Sequence, residues 1–154
     1  MKNLCSEVIA ALEGKTLVTA ESLTRGGIGA VLTSVSGASA VYKGGIISYT
    51  NAVKNKLLEV PWEILDAHGA VSAPVAKAMA EGARKVLEAD VAVSVTGLAG
   101  PSGDEYGNPV GTVFIGYSDE RNTAVRHFVF SGSREEVRGQ TIRAALELVL
   151  QYNA

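Results

Sequence analysis

The stretch Thr19-Ala20-Glu21-Ser22-Leu23-Thr24-Arg25-Gly26-Gly27 reads as the end of a β-strand, a tight polar turn and the start of a helix. Residues 16–20 lead into it as a short buried strand. Ile28, Val31, Leu32 and Val35 follow at helical spacing, with Thr24 placed to cap the helix and Ser36-Gly37 to stop it. At such a junction in an α/β sheet the chain passes the carboxyl edge of a strand. Backbone amides at the start of the next helix point outward there and favour an anion or a developing oxyanion. Ser22 is the one side chain in the turn built to be a nucleophile, and a serine hydroxyl needs an activating partner.

Working outward, Leu4, Cys5, Val8, Ile9 and Leu12 predict a first helix ended at Gly14. Residues 45–49 read as a second strand, and residues 52–58 as a helix capped by Thr50 or Asn51. Pro61 opens a short helix that runs through Leu65 and ends near His68-Gly69. Ser72, with Pro74 just inside, opens an alanine-rich helix whose apolar face carries Val75, Met79, Ala83, Val86 and Leu87. Residues 91–96 are apolar enough for a central strand covered on both faces, and they run into the glycine-rich segment 97–103. Residues 110–117 and 123–130 alternate across Asp119-Glu120-Arg121-Asn122 and predict a hairpin. Ser133 and Glu136 have capping-box spacing ahead of a last helix containing Val137, Ile142, Ala145, Leu146 and Val149. The element order predicts a single α/β domain over residues 1–154. Its architecture is a three-layer α/β/α sandwich with a mixed, mostly parallel sheet and a C-terminal antiparallel hairpin.

Composition narrows the function classes. The chain has 154 residues, enough for one domain with a real core, and 47% hydrophobic against 19% charged residues places it among compact soluble proteins. A net charge of -2 with no run of Lys or Arg argues against a nucleic-acid partner. No apolar stretch has the length of a membrane span, and the first residues lack the pattern of a secretory signal. The lone Cys5 agrees with a reducing compartment, so the expected location is cytoplasmic. Apolar content of this order in a small α/β protein also leads us to expect a homo-oligomer.

Three polar turns follow three strand ends: Ser22, Tyr49 to Lys54, and Thr96 to Gly103. Parallel strands would bring them to one edge of the sheet, where α/β proteins bind ligands. The sequence holds no Gly-x-Ser-x-Gly elbow, no phosphate-binding Walker loop and no Cys/His cluster suited to zinc. His127 falls within the hairpin, and His68 is placed to end a short helix. A base for Ser22 is therefore a lysine or a tyrosine, and a lysine serves only if burial or nearby positive charge lowers its pKa.

Five segments together resemble one known family. They are Ala20-Glu21-Ser22-Leu23-Thr24-Arg25-Gly26, Ser48-Tyr49-Thr50-Asn51-Ala52-Val53-Lys54, His68-Gly69-Ala70-Val71-Ser72, Val95-Thr96-Gly97-Leu98-Ala99-Gly100-Pro101 and Pro109-Val110-Gly111-Thr112-Val113. In this order, across nearly the whole chain, they are similar to the CinA C-terminal domain family, whose characterised members are nicotinamide mononucleotide deamidases. The resemblance implies hydrolysis of the carboxamide of nicotinamide mononucleotide to nicotinic acid mononucleotide and ammonia, with no metal and no cofactor. It implies Ser22 as nucleophile, Lys54 as its base and Tyr49 in proton transfer or amide positioning. It also implies substrate contacts from Thr24, Gly26, Thr96, Gly97 and Gly100, and phosphate binding or orientation of the site by Arg138, with Arg134 the competing choice. The expected form is a stand-alone one, without the molybdopterin-binding-like domain that precedes this region in longer relatives. Departures from the family pattern are Leu23 for a cysteine, Arg25 for a glycine, Asp104 for a glycine and Asn108 for a lysine. Arg25 stands beside the nucleophile, where a long cation adds a phosphate contact or closes the pocket. The rival expectation is a non-catalytic pyridine-nucleotide or phosphate-binding module on the same fold.

Overall fold

A computed structural model describes all residues, 1–154. The elements in chain order are α1 (Lys2–Ala11), β1 (Leu17–Glu21), α2 (Gly27–Leu32), β2 (Tyr42–Ile47), α3 (Asn51–Leu58), α4 (Trp62–His68), α5 (Ala73–Val86), β3 (Val91–Gly97), β4 (Thr112–Ser118), β5 (Thr123–Val129) and α6 (Arg134–Asn153). A short 3-10 turn, Ala38–Ala40, precedes β2. No helix is long and apolar enough to cross a membrane.

The five strands form one sheet in the order β2-β1-β3-β4-β5. β1 pairs in parallel with β2 and β3, while β3–β4 and β4–β5 are antiparallel. Four of the five strands thus point the same way, although the pairings divide evenly between the two kinds. Parallel neighbours need a crossover helix; the glycine-rich segment after β3 contains none, so the chain returns as an antiparallel neighbour. Register sets up the site. Glu21 is level with Ile47 of β2 and with Val95 of β3, so the turns after all three parallel strands leave the sheet at one edge.

Side chains on the strands alternate between two cores. Leu17, Val91, Val93 and Val95 face a cluster with residues of α1, α2 and α6. Val18, Ala20 and Ala92 face Leu58, Leu65, Val75, Met79 and Ala83 of α3, α4 and α5. Small residues let α5 lie close to the sheet: a Cβ at Gly116 would collide with the Ala76 carbonyl, to which Ser94 also donates at 2.6 Å. Likewise a Cβ at Gly82 would collide with the Leu58 carbonyl, so α3 is drawn tightly against α5.

Three local expectations need correction. Thr24 is not the cap of α2. That position is Gly26, in the left-handed region at φ 89, and the amides of Ile28 and Gly29 donate to the Glu21 carboxylate at 2.9 and 3.1 Å. Thr24 instead donates its hydroxyl to the same carboxylate at 2.6 Å. The helix also stops at Leu32 rather than reaching Val35, where Thr33 and Ser34 bond back to the carbonyls of Gly29 and Val31. β2 begins earlier than expected and ends at Ile47, leaving Tyr49 outside the ladder. By contrast, Ser72 caps α5, Thr50 caps α3, and the Ser133–Glu136 capping box opens α6 as the spacing predicts.

Candidate active site

The site starts from a lysine that the fold buries. Thr50 caps α3 by accepting from the Val53 amide, which fixes the helix start just after β2. Contact between α3 and α5 then turns Lys54 inward, leaving it 1% exposed. Its Nζ donates to the Ser48 carbonyl at 2.6 Å and to Ser22 Oγ at 3.3 Å. No carboxylate pairs with it. Loss of water around an unpaired ammonium disfavours the charged form, and the Lys54 pKa is lowered from 10.5 to about 8.

Ser22 follows β1 directly and is 7% exposed. It opens on a cavity of about 130 Å³ shared with Leu23, Tyr49, Ser102, the 97–100 loop, Arg134 and Arg138. Larger grooves exist, about 370 Å³ between β5 and α6 and about 660 Å³ at the opposite edge of the sheet, but neither contains a buried unpaired charge. The Ser22 carbonyl accepts from the Arg25 amide at 3.2 Å, closing the turn. The N–H groups of Leu23, Ala99 and Gly100, all cavity residues, have no partner within the chain.

The other expected site residues divide into two sets. Tyr49, Gly97, Gly100 and Arg138 line the cavity with Ser22, whereas Thr24, Gly26 and Thr96 do not line it. Tyr49 is 67% exposed, at the rim. Arg138 is buried rather than a surface ion-pair residue. Its Nε donates to the Leu23 carbonyl at 2.9 Å, and Nη1 is 3.4 Å from Glu135. Arg134, at the start of α6, donates to the Gly100 carbonyl. Gly97 permits a close approach: a Cβ there would be 2.7 Å from the Thr112 carbonyl. The Gly100–Pro101 peptide is cis. Thr96 is buried and spends its hydroxyl on the Ala70 carbonyl at 2.8 Å.

Arg25 occupies the left-handed region at φ 56, a conformation that explains why glycine suits the position. Its guanidinium pairs with Glu135 at 3.4 Å, and neither residue lines the cavity. Sequence reasoning assigned no part to Ser48, whose carbonyl holds Lys54, or to Glu21. The signal for Glu21 was present: a carboxylate ending a five-residue strand whose one other polar residue is Thr19 is expensive to bury without partners. No three His, Cys, Asp or Glu side chains come together as a metal-binding group.

Fold and site together define an α/β domain with a buried lysine–serine pair at the carboxyl edge of its parallel strands. Residues 1–153 match the family model of the CinA C-terminal domain, and the chain belongs to that family. It is 48% identical over 149 residues to the CinA-like protein of Parasynechococcus marenigrum (strain WH8102), covering 94% of this chain and 36% of that protein. It is 45% identical over 139 residues to the CinA-like protein of Citrifermentans bemidjiense, covering 90% of this chain and 34% of that one. The chain thus spans about a third of the length of these relatives. Among solved structures, the competence damage-inducible protein A of Klebsiella pneumoniae subsp. pneumoniae MGH 78578 superposes with a TM-score of 0.95 at 34% identity, covering 97% of this chain and 94% of that one. The competence/damage inducible protein of Agrobacterium tumefaciens gives 0.92 at 39% identity, covering 99% and 95%.

Proposed function

We propose that this protein hydrolyses the carboxamide of nicotinamide mononucleotide, giving nicotinic acid mononucleotide and ammonia through a serine nucleophile and a lysine base. The observation that carries the proposal is the contact between Ser22 Oγ and a buried Lys54 with no counter-ion. With its pKa near 8, about a tenth of Lys54 is neutral at pH 7. In that form, two of its protons remain available to donate while the lone pair takes the Ser22 proton. Ser22 Oγ then bonds to the carboxamide carbon, and the carbonyl oxygen becomes an oxyanion. The unpartnered amides of Leu23, Ala99 and Gly100 are suited to stabilise that charge. Lys54 returns the proton to nitrogen as the C–N bond breaks and ammonia leaves. A water molecule, deprotonated by Lys54, attacks the acyl-enzyme, and the proton goes back to Ser22 as the acid is released. Arg134 and Arg138, on one wall of the cavity, fit the nucleotide phosphate through their planar guanidinium groups.

The rival reading, a nucleotide-binding module without turnover, drew its support from Arg25. Pairing of Arg25 with Glu135, outside the cavity, supports the catalytic reading instead. The test is ammonia release from nicotinamide mononucleotide in the presence of chelator, run beside Ser22→Ala. We expect release by the intact protein and none by the variant. Binding of the nucleotide without ammonia release would favour the rival.

A further inference from the structure

Glu21 is the one buried acidic side chain in the molecule, 2% exposed, and the steps above make no use of it. Three donors converge on its carboxylate: the Thr24 hydroxyl at 2.6 Å and the amides of Ile28 and Gly29 at 2.9 and 3.1 Å. No cation pairs with it. Its backbone carbonyl meanwhile accepts from the Ser48 amide at 2.7 Å and lies 3.4 Å from the Ser48 hydroxyl. The carbonyl of that same Ser48 receives Lys54 Nζ. One residue therefore ties down both halves of the reactive pair. Its side chain clamps the turn that presents Ser22, two residues before Thr24, and its main chain holds the residue on which Lys54 rests.

From this arrangement we infer that Glu21 is a positioning residue for the Ser22–Lys54 pair, acting through the charge of its carboxylate. Burying a carboxylate is costly, and an apolar residue would fill the space more cheaply. What an apolar residue could not do is bind two amides and a hydroxyl from one point, and so fix the turn between β1 and α2. It follows that the amides at the start of α2 are already occupied from within. An anionic group on the substrate is directed to the arginine wall of the cavity, not to α2.

The inference rests on the serine–lysine reading of the site, and its test separates the two. Reaction of Ser22 with a fluorophosphonate probe forms an Oγ–P bond and expels fluoride, so it reports serine activation without requiring any particular amide substrate. In Glu21→Ala we expect the labelling rate, and kcat for the mononucleotide, to fall about 100-fold with KM within twofold, the usual scale for an ångström-level displacement of a reacting group. Formate should restore a substantial part of the rate by occupying the vacated acceptor position, while formamide, of similar size but uncharged, should not. Thr24→Val removes one of the three donors, keeps the side-chain volume and should lose several-fold, which covers the case in which Glu21→Ala fails to fold. Unchanged labelling in a folded Glu21→Ala or in Thr24→Val, or equal rescue by formamide, would overturn the role of Glu21 while leaving the proposed function standing. An intact protein whose Ser22 does not react contradicts the proposed function and takes the role of Glu21 with it.

Discussion

The two edges of the sheet use buried polar groups in opposite ways. At the edge where the β4–β5 turn lies, the Tyr117 hydroxyl donates to Asp119 at 2.6 Å and accepts from Asn153 at 3.0 Å, while Asp119 also accepts the amides of Arg121 and Asn122. Every group there has its partner. Burial and the neighbouring carboxylate push the phenol up, and the hydrogen bonds it receives hold Asp119 below the usual carboxylate range. Such a network locks a hairpin. At the other edge Lys54 is as deeply buried but lacks an anion, so its charge is destabilised and its proton is held loosely. A buried network with every charge paired points to architecture, and a buried charge without a counter-ion points to chemistry. The volume of the groove next to each does not separate them, since the reactive edge has the smaller one.

The sharpest way to break this comparison is to remove the reactive groups. Ser22→Ala and Lys54→Met should each reduce the proposed deamidation by about a thousand-fold or more while leaving the circular dichroism spectrum intact, because the proposed mechanism puts both in the bond-making step. A variant retaining a tenth of the activity would show that its side chain is not in that step.

The next effect is on stability. Between pH 8 and 10.5 the unfolded chain still holds the Lys54 proton and the folded one has lost it, so stability rises with pH across that window. Below pH 8 the full penalty of burying the ammonium applies. A shift of this size corresponds to roughly 3 kcal/mol. Urea denaturation at pH 7.5 and pH 10 should therefore show the wild type gaining on Lys54→Met by an amount of that order. Parallel pH dependence in the two proteins would mean that Lys54 is solvated and the contrast between the edges is false.

The hairpin edge should respond in the reverse sense. Tyr117→Phe leaves Asp119 with its backbone donors but deprives it and Asn153 of the phenol, and should cost about 1–2 kcal/mol with kcat unchanged. Loss of activity with unchanged stability would move function to that edge. The smallest expected effect is that of Arg25→Gly. It relieves a left-handed residue at the loss of an exposed ion pair, and should stabilise the protein by up to about 1 kcal/mol with turnover within twofold. A large change in KM would place the guanidinium on the substrate.

Most of the architecture was legible because amphipathic spacing and capping residues are local signals, and five of the six helices start or stop near where those signals fall. The convergence of three turns was legible too, since it follows from parallel strand order. What was not legible depends on contacts that reach beyond one segment. Thr24 looked like a helix cap because Glu21, seven and eight residues before the amides it binds, is not where a cap is sought. Lys54 and Lys56 are alike as letters on one short helix; close packing of Leu58 against Gly82 decides which is buried. Thr96, expected at the substrate, donates to Ala70 across 26 positions, a direction that nothing in its own strand encodes. Arg138 lies on the same long helix as several exposed charges, and only the turn carrying Leu23 makes it an interior residue.

The central claim, that a neutral Lys54 activates Ser22, is tested most directly by the pH dependence of kcat/KM for nicotinamide mononucleotide. The rate should climb about tenfold per unit at low pH, bend near pH 8 and stay level above it, following the deprotonated lysine. A profile flat from pH 6 to 9, or an active Lys54→Arg enzyme with the same bend, would take Lys54 out of the mechanism.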